Sequence, residues 1–251
     1  MNNFLSVLVV GENPEKLMDK YDLNLKVKEY IKFKYSDAEI LKNNHIACLK
    51  EMLNNKNFKL NDFQVDHLNE ILKMTKEMSP FEYYTELTYG YKYDEHGNAI
   101  TDLNPNGKWL TKQIGDKFSL PLILKNGNET HQALMCDINW DLTNKTNNPI
   151  NYDLAWEIVI NKAQPKNKTE KSIYENMKDK KDYLSQFKNK EEYISFNCAY
   201  WNYAFLDENG WVDLDDENNQ ISWVVNYYDR FIKKLKTTDL LTIYEYSVNK
   251  N

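Results

Sequence analysis

Apolar residues run together at both ends of the chain, and each run predicts a β-strand. The first covers residues 4–10 and stops at Gly11, while the second covers Leu240–Val248 and closes the chain. Both runs are rich in β-branched and aromatic residues, which strands prefer. Each run adjoins a predicted helix, so we expect these two strands to lie side by side in one sheet.

Helical spacing dominates residues 36–88. A capping box at Ser36 and Glu39 introduces one helix, a second begins near Asn61, and Ser79 followed by Pro80 starts a third. Further helices are predicted over 14–20, 170–188 and 220–236, the last having its apolar residues in the clearest register.

Period-two alternation and turn residues characterise most of the remainder. Hairpins are predicted over 91–100 and around 207–210, with strands at 120–125, 130–140 and 154–160 and a polar loop at 144–151. The sequence therefore predicts an α+β fold. We expect a mixed or antiparallel sheet with a ferredoxin-like core, a helical insertion at about 36–88 and a β-rich middle, all in one domain (1–251) with a possible subdivision near 144–151.

Charge and composition exclude several classes of protein. The 32 Lys and Arg against 38 Asp and Glu give a net charge of −6, and Arg230 is the only arginine. This argues against a general nucleic-acid-binding surface. No apolar run reaches the length of a membrane span, and no basic segment precedes the first strand. Cys48, Cys136 and Cys198 are isolated in apolar surroundings. We therefore expect a cytoplasmic protein with buried free thiols and no cofactor.

One face of the predicted strand 130–140 carries polar residues that could bind a metal. Alternation places His131 and Asp137 on the same side, with Asp141 following shortly after. Imidazole and carboxylate groups converging from one side are what a metal-assisted phosphodiesterase or nucleotide-processing enzyme needs. The alternative is a half-buried strand whose polar side faces water.

A second candidate is the turn-rich segment ending at Trp109. Backbone amides here, with Lys108, Trp109 and the later Lys117, could surround an anionic ligand such as a defence signal nucleotide. Two asparagines, a proline and a glycine are also what any tight turn requires. A phosphate loop would need more glycines and a following helix.

The third candidate is an acidic segment with neighbouring aromatic rings, which we call the acidic aromatic set. Its members are Trp201, Tyr203, Asp207, Glu208, Trp211, Asp213, Asp215, Asp216 and Glu217. The spacing of a twelve-residue calcium loop is absent. The segment is either a solvated hairpin or a surface that imitates a phosphate backbone and occupies a basic groove on a partner.

Several short motifs resemble those of a family of uncharacterised phage- and prophage-encoded proteins. Their shared pattern is Asn-Pro-x-Gly-Lys-Trp, then Gly-Gly-Arg-Trp, then Gln-Ala-Arg-Lys-x-Asp-Ile-Asp-Trp, after an opening strand and a Tyr-Asp-x-Asn element. The matching residues here are Val9-Val10-Gly11, Tyr21-Asp22-Leu23-Asn24, Asn104-Pro105-Asn106-Gly107-Lys108-Trp109, Gly115-Asp116-Lys117-Phe118, Gln132-Ala133 and Asp137-Ile138-Asn139-Trp140. Lys117 stands where the pattern has arginine, and Leu134-Met135 replaces Arg-Lys.

The resemblance implies a phage or prophage accessory protein, and accessory phage proteins without a catalytic signature often bind a host defence component. A basic nucleic-acid channel is typical of RNA-guided effectors, and an acidic aromatic surface suits it. We therefore expect a non-catalytic anti-CRISPR that binds a CRISPR ribonucleoprotein by protein–protein contact. The metal-assisted enzyme and the nucleotide sponge remain alternatives.

Overall fold

A computed structural model describes residues 3–55, 58–115, 117–217 and 219–248. It is 46% helix and 22% strand, which confirms the α+β class. The chain forms two compact units. The first comprises Met1–Leu25 with Asn106–Asn251, and the second is Lys26–Pro105. The predicted helical segment 36–88 lies inside the second unit, and residues 144–151 lie inside the first.

The strands of the described residues are, in chain order, β1 (Asn3–Val10), β2 (Lys26–Phe33), β3 (Lys92–Tyr93), β4 (Ala99–Leu103), β5 (Thr111–Ile114), β6 (Leu122–Ile123), β7 (Glu129–Thr130), β8 (Gln132–Leu134), β9 (Ala204–Asp207), β10 (Gly210–Asp213) and β11 (Leu240–Val248). The α-helices are α1 (Pro14–Asp19), α2 (Ala38–Asn54), α3 (Asp62–Glu77), α4 (Pro80–Leu87), α5 (Trp140–Thr143), α6 (Pro149–Val159), α7 (Lys168–Met177), α8 (Lys181–Leu184), α9 (Lys190–Cys198) and α10 (Gln220–Tyr227).

The main sheet of the first unit is built around the two terminal strands. β1 and β11 are antiparallel neighbours, in register from Asn3 opposite Val248 to Val10 opposite Leu241. This confirms the predicted pairing. The strand order is β10-β9-β1-β11-β5, and β8 also pairs with β11. β9 runs parallel to β1, so the sheet is mixed. The expected ferredoxin-like strand order is not confirmed.

Apolar clusters cover both faces of this sheet, and the end of β1 contributes side chains to each of them. Leu8 belongs to a cluster with Trp223 and Tyr227 of α10, whereas Val7 and Val9 belong to a second cluster. Successive side chains of a strand point to opposite faces. The uninterrupted apolar run of β1 is therefore typical of a strand buried on both sides.

Two predicted strands of the first unit differ from the prediction. The run 154–160 is helical up to Val159, the last residue of α6, because Asn148 accepts a hydrogen bond from the backbone of Ile150 and Pro149 occupies the first turn. The run 130–140 is not one strand. The Thr130 hydroxyl turns the backbone between β7 and β8, and a 3₁₀ turn follows at Met135–Asp137. A short apolar run alone does not distinguish a strand from a buried helix.

Two predicted helices of the first unit are interrupted. The helix expected over 170–188 appears as α7 and α8, separated by a 3₁₀ turn at Lys178–Lys180. The helix expected over 220–236 begins at Gln220 as α10 and widens into a π-turn at Tyr228–Ile232. Its apolar residues still face the core, where Trp223 and Ile232 are buried.

In the second unit α2 packs against α3 and α4, and Ala38 of α2 and Tyr84 of α4 share an apolar cluster with Ala99 in the sheet β2-β4-β3. Tyr84 is buried at its centre and its hydroxyl donates to the carbonyl of Gly97 (2.9 Å). Capping boxes at Asn61 and Ser79 confirm two predicted helix starts. The box at Ser36 was wrong, since a 3₁₀ turn at Tyr35–Asp37 precedes α2.

Candidate functional site

The hairpin β9–β10 contributes to one wall of a cavity of about 210 Å³ in the first unit, which we call the hairpin cavity and which both charged and apolar side chains line. Its lining residues come from the hairpin, from both terminal strands and from the turn that precedes β5. They are Leu5, Gly107, Lys108, Tyr203, Asp213, Asp215, Tyr246 and Val248.

Local sequence explains how the hairpin presents its acids. Gly210 has φ +127°, a backbone conformation that disfavours other residues, and the Asp207 carboxylate accepts a hydrogen bond from the Asn209 N–H (2.8 Å). This places a tight turn after β9. Trp211 and Asp213 then share one face of β10, because side chains alternate along a strand.

Asp213 is the most deeply buried charge of the cavity, with 4% of its surface exposed. Its Oδ2 accepts hydrogen bonds from the Lys108 ammonium (2.9 Å) and from the Trp211 indole N–H (2.9 Å). Within the described part of the chain, its Oδ1 is enclosed and accepts no hydrogen bond of normal geometry. Asp213 and Asp216 also form a capping box, in which the Asp213 side chain faces the Asp216 backbone N–H and the Asp213 N–H donates to Asp216 Oδ2 (3.5 Å). A buried carboxylate oxygen without a donor is uncommon and calls for an explanation.

Two tyrosine hydroxyls complete the polar lining. Burial, together with a hydrogen bond to Asp215, raises the pKa of Tyr203 well above its usual value. Burial and the nearby Asp213 raise the pKa of Tyr246 further. Both phenols are therefore neutral at physiological pH. The cavity contains two carboxylates and the Lys108 ammonium, which leaves one net negative charge.

The rest of the acidic aromatic set lies elsewhere. Trp201 packs against the apolar cluster around Trp223. Asp207 and Glu208 line a separate depression together with lysines of α1, and Glu217 forms an ion pair with Arg230. Of the nine predicted residues, only Tyr203, Asp213 and Asp215 line the hairpin cavity. Asp216 is exposed beside it, and Trp211 supports it through Asp213.

The residues proposed for an anionic ligand do not share one pocket. Trp109 is buried and its indole N–H donates to the carbonyl of Met18 (3.0 Å). Lys117 is exposed and does not line the hairpin cavity. Lys108 is there, but it is paired with Asp213. The turn interpretation explains the structure of this segment, and anion binding by the three residues stays a prediction, with only Lys108 in the lining of the hairpin cavity.

The three residues proposed as metal ligands also differ in their surroundings. His131 is partly buried and none of the described residues hydrogen-bonds to its Nε2, whereas Asp137 and Asp141 are exposed. Across the described residues, no group of three or more His, Cys, Asp or Glu side chains could hold a metal ion. Two of the three free cysteines, Cys48 and Cys136, are exposed, so the expectation of buried thiols is correct only for Cys198.

Two of the short phage-like motifs contact each other. The Leu23 N–H donates to the carbonyl of Trp109 (2.9 Å), and the Lys108 N–H donates to the carbonyl of Tyr21 (2.7 Å). A Cβ on Gly107 would lie 2.9 Å from Cα of Leu23, so this crossing needs glycine. The same crossing places Lys108 in the lining of the hairpin cavity. The sequence-based prediction had assigned Lys108 to the binding of an anionic ligand.

Sequence reasoning also missed Tyr246. The available signal was the alternation of β11, which places Tyr244, Tyr246 and Val248 on the same face.

Comparison with protein-family models, with curated proteins and with solved structures finds no match to this chain. None of the helices in the described ranges has the length and apolar character needed to cross a membrane.

Proposed function

We propose that this chain is a phage- or prophage-encoded inhibitor of a host defence system, an anti-CRISPR that binds an RNA-guided effector by protein–protein contact. The observation that carries the proposal is the hairpin cavity, a small aromatic-walled pocket that retains one net negative charge. Such a pocket suits a basic group on a partner protein.

The surface around the cavity is also negatively charged. Asp215 and Asp216 are exposed next to it, and the chain as a whole has a net charge of −6. The channel of an RNA-guided effector is basic because it holds a nucleic-acid duplex. Opposite charges accelerate association and favour the correct orientation of two proteins.

The two alternative functions receive less support. A signal nucleotide is a polyanion, and the acids of the hairpin cavity would repel it. The cavity volume of about 210 Å³ is also below the roughly 300–1,000 Å³ typical of small-molecule sites. A metal-assisted reaction lacks a ligand cluster in the described part of the chain. Stoichiometric binding is therefore the function that the site supports best.

The test uses an RNA-guided effector from a bacterium in which expression of this chain restores phage growth. Purified effector loaded with guide RNA is titrated with the protein, and cleavage of the target is measured. We expect inhibition to saturate near one equivalent per binding site. The double charge reversal Asp215→Lys with Asp216→Lys should weaken inhibition at least about tenfold, since like charges would then face each other.

The matched control is Asp182→Lys, because Asp182 is an exposed acid outside the cavity lining. It should inhibit like the unmodified protein. Full inhibition by the double reversal would show that the hairpin region is not the contact surface. Failure to protect phage against any RNA-guided system would refute the proposed function itself.

A further inference from the structure

We infer that a pocket lined by four aromatic rings in the second unit binds a trimethylammonium group, the cationic head of choline and of trimethyllysine. The rings belong to Tyr35, Phe81, Tyr84 and Tyr93, and the cavity beside them, which we call the aromatic pocket, has a volume of about 300 Å³. All of its lining residues lie within the unit Lys26–Pro105. The inference goes beyond the proposed function and does not depend on it.

The first argument concerns the exposure of the rings. Tyr84 is 1% exposed and forms the base of the pocket, whereas Tyr35, Phe81 and Tyr93 are 42%, 55% and 45% exposed. The ring centres of Tyr35 and Tyr93 lie 5.2 Å and 6.2 Å from that of Tyr84, and the ring centre of Phe81 lies 5.9 Å from that of Tyr35. Large exposed aromatic side chains that gather around one cavity are typical of a binding site.

The second argument concerns hydrogen bonds, because the hydroxyls of three lining residues are already paired. The Tyr84 hydroxyl donates to the carbonyl of Gly97 (2.9 Å), and the Thr85 hydroxyl donates to a carbonyl of its own helix (3.0 Å). The Tyr93 hydroxyl lies 2.7 Å from the hydroxyl of Thr88. A ligand therefore meets ring faces rather than free hydroxyls. A primary ammonium, with three N–H donors, would lose its water and find few acceptors.

The third argument concerns the directions in which the rings face. The plane of Tyr35 is tilted by 59° from that of Phe81 and by 80° from that of Tyr84, and Tyr93 is tilted by 49° from Tyr84. A planar ligand stacks best between walls that are nearly parallel. A rounded group can instead contact faces turned in several directions, and each such face attracts positive charge.

The fourth argument concerns charge, which selects a cation over a neutral group of the same shape. Residues 34–36, 80–86 and 92–98, which supply the lining, carry four acids and two lysines, a net charge of −2. Hydrogen bonds from Ser79 lower the pKa of Glu82, and those from Asn98 lower the pKa of Asp94, so both acids are ionised at physiological pH.

The lining itself adds no competing cation. None of the described residues that line the aromatic pocket is a lysine or an arginine. A trimethylammonium group carries a positive charge and has no N–H donor, so it satisfies the charge and the hydrogen-bond requirements together. Recognition of such groups by several aromatic rings is a general use of the cation–π interaction.

The experiment uses the backbone amide of Gly97 as a reporter, because Gly97 lines the aromatic pocket. The full-length ¹⁵N-labelled protein is titrated with choline, and the Gly97 resonance is followed by NMR. We expect a saturable shift with a dissociation constant that is roughly millimolar for so small a ligand. The neutral isostere 3,3-dimethylbutanol and the primary amine ethanolamine should each bind at least about fivefold more weakly.

Variants identify the rings that bind the cation. Phe81→Leu should weaken choline binding about fivefold, and Tyr35→Leu should have a similar effect. The matched control is Phe63→Leu, because Phe63 is a 79% exposed ring of α3 outside the pocket lining, and its loss should change nothing. Tyr93→Phe keeps the ring and should retain binding. If one of the two leucine variants does not fold, the other decides the question.

A second ligand distinguishes the two sources of the group. Tighter binding of N-acetyl-trimethyllysine amide than of choline would identify a methylated partner protein, and the opposite order would identify a free small molecule. Either order, or equal binding, supports the aromatic pocket. The inference is overturned if choline does not shift the Gly97 resonance or if 3,3-dimethylbutanol or ethanolamine binds as tightly as choline. It is also overturned if the folded leucine variants bind choline normally.

Discussion

Oε1 of Glu245 accepts hydrogen bonds from both the backbone N–H (2.9 Å) and the hydroxyl (3.0 Å) of Ser119. It also accepts one from the Phe118 N–H (2.6 Å). Glu245 is 1% exposed and lies in the middle of β11, so a buried carboxylate on the central strand holds the loop that follows β5. Carboxylates that accept several backbone hydrogen bonds are stable even when buried.

Replacing this carboxylate should destabilise the protein. Glu245→Gln removes the negative charge from the oxygen that accepts three hydrogen bonds and replaces Oε2, which accepts from Gln113 Nε2 (3.2 Å), by an N–H donor, so we expect a loss of about 1–3 kcal/mol in the free energy of unfolding. Urea denaturation measures the change. The control is Glu129→Gln, an exposed residue of β7, which should change stability by less than about 0.5 kcal/mol. Equal midpoints for the two variants would contradict the anchoring role of Glu245.

The crossing of the two phage-like motifs should not tolerate a larger residue. In Gly107→Ala the new Cβ would lie 2.6 Å from Cδ2 and 2.9 Å from Cα of Leu23, and the backbone atom cannot move away cheaply. Overpacking of this kind costs about 1–3 kcal/mol. Thermal unfolding of the variant measures it.

Gly127→Ala provides the comparison, because its Cβ would meet nothing within 4 Å although φ is +87°. It should cost only the backbone strain of roughly 1 kcal/mol. If Gly107→Ala were as stable as the unmodified protein, Leu23 would have to move away from the new Cβ at little cost.

Lys112 links β5 to α1 by charge. Its ammonium lies 2.6 Å from Glu15 and 2.8 Å from Asp19, and 4.8 Å from the centre of the Trp109 ring. The lysine is 11% exposed, but both acids are 61% exposed, so solvent screens the pairs. We expect Lys112→Met to cost roughly 1 kcal/mol, with a smaller difference at high salt.

The control for this variant is Lys233→Met. Lys233 pairs with Asp229 at 3.0 Å, but both side chains are about 70% exposed. Removing such a pair usually costs about 0.3–0.5 kcal/mol. Urea denaturation of both variants at low and high salt provides the comparison. A larger effect at Lys233 would contradict the importance of the partly buried site.

Alkaline pH should destabilise the protein through its buried tyrosines. Burial raises the pKa of Tyr193 to about 12, against a usual value of 10. Above pH 10 the unfolded chain loses this proton while the native chain keeps it, so the contribution is intact below pH 10 and is lost as pH rises to about 12. Each such group lowers the free energy of unfolding by about 1.4 kcal/mol per pH unit in that window.

Tyr193→Phe removes one of these groups. The variant should differ little at neutral pH and gain roughly 1.4 kcal/mol relative to the unmodified protein near pH 11, as measured by urea denaturation across pH. Tyr89→Phe serves as the control, at a side chain that is 89% exposed. Parallel pH curves for Tyr193→Phe and the unmodified protein would rule out the proposed role of Tyr193.

What the sequence determined by itself was local. The terminal strands, the caps at Asn61 and Ser79, and the hairpin at 207–210 all follow from alternation or from the conformational preferences of a few adjacent residues. These signals act over fewer than about ten residues, so no distant contact is needed to read them. The apolar run in α6 shows the limit, because burial in a helix and in a strand select the same residue types.

Only the tertiary structure determined which residues come together in the candidate site. Lys108 and Asp213 are 105 residues apart, and their ion pair exists because the Tyr21–Trp109 backbone contacts bring the turn before β5 to the hairpin. Tyr246 joins them through the pairing of β11 with β1. Sequence spacing does not encode which distant strands pair, since pairing depends on the total burial achieved by the folded chain. The sequence alone thus identified the acidic and aromatic residues of the hairpin region. In the folded chain three of the nine predicted residues line the cavity, together with the lysine that pairs with one of them.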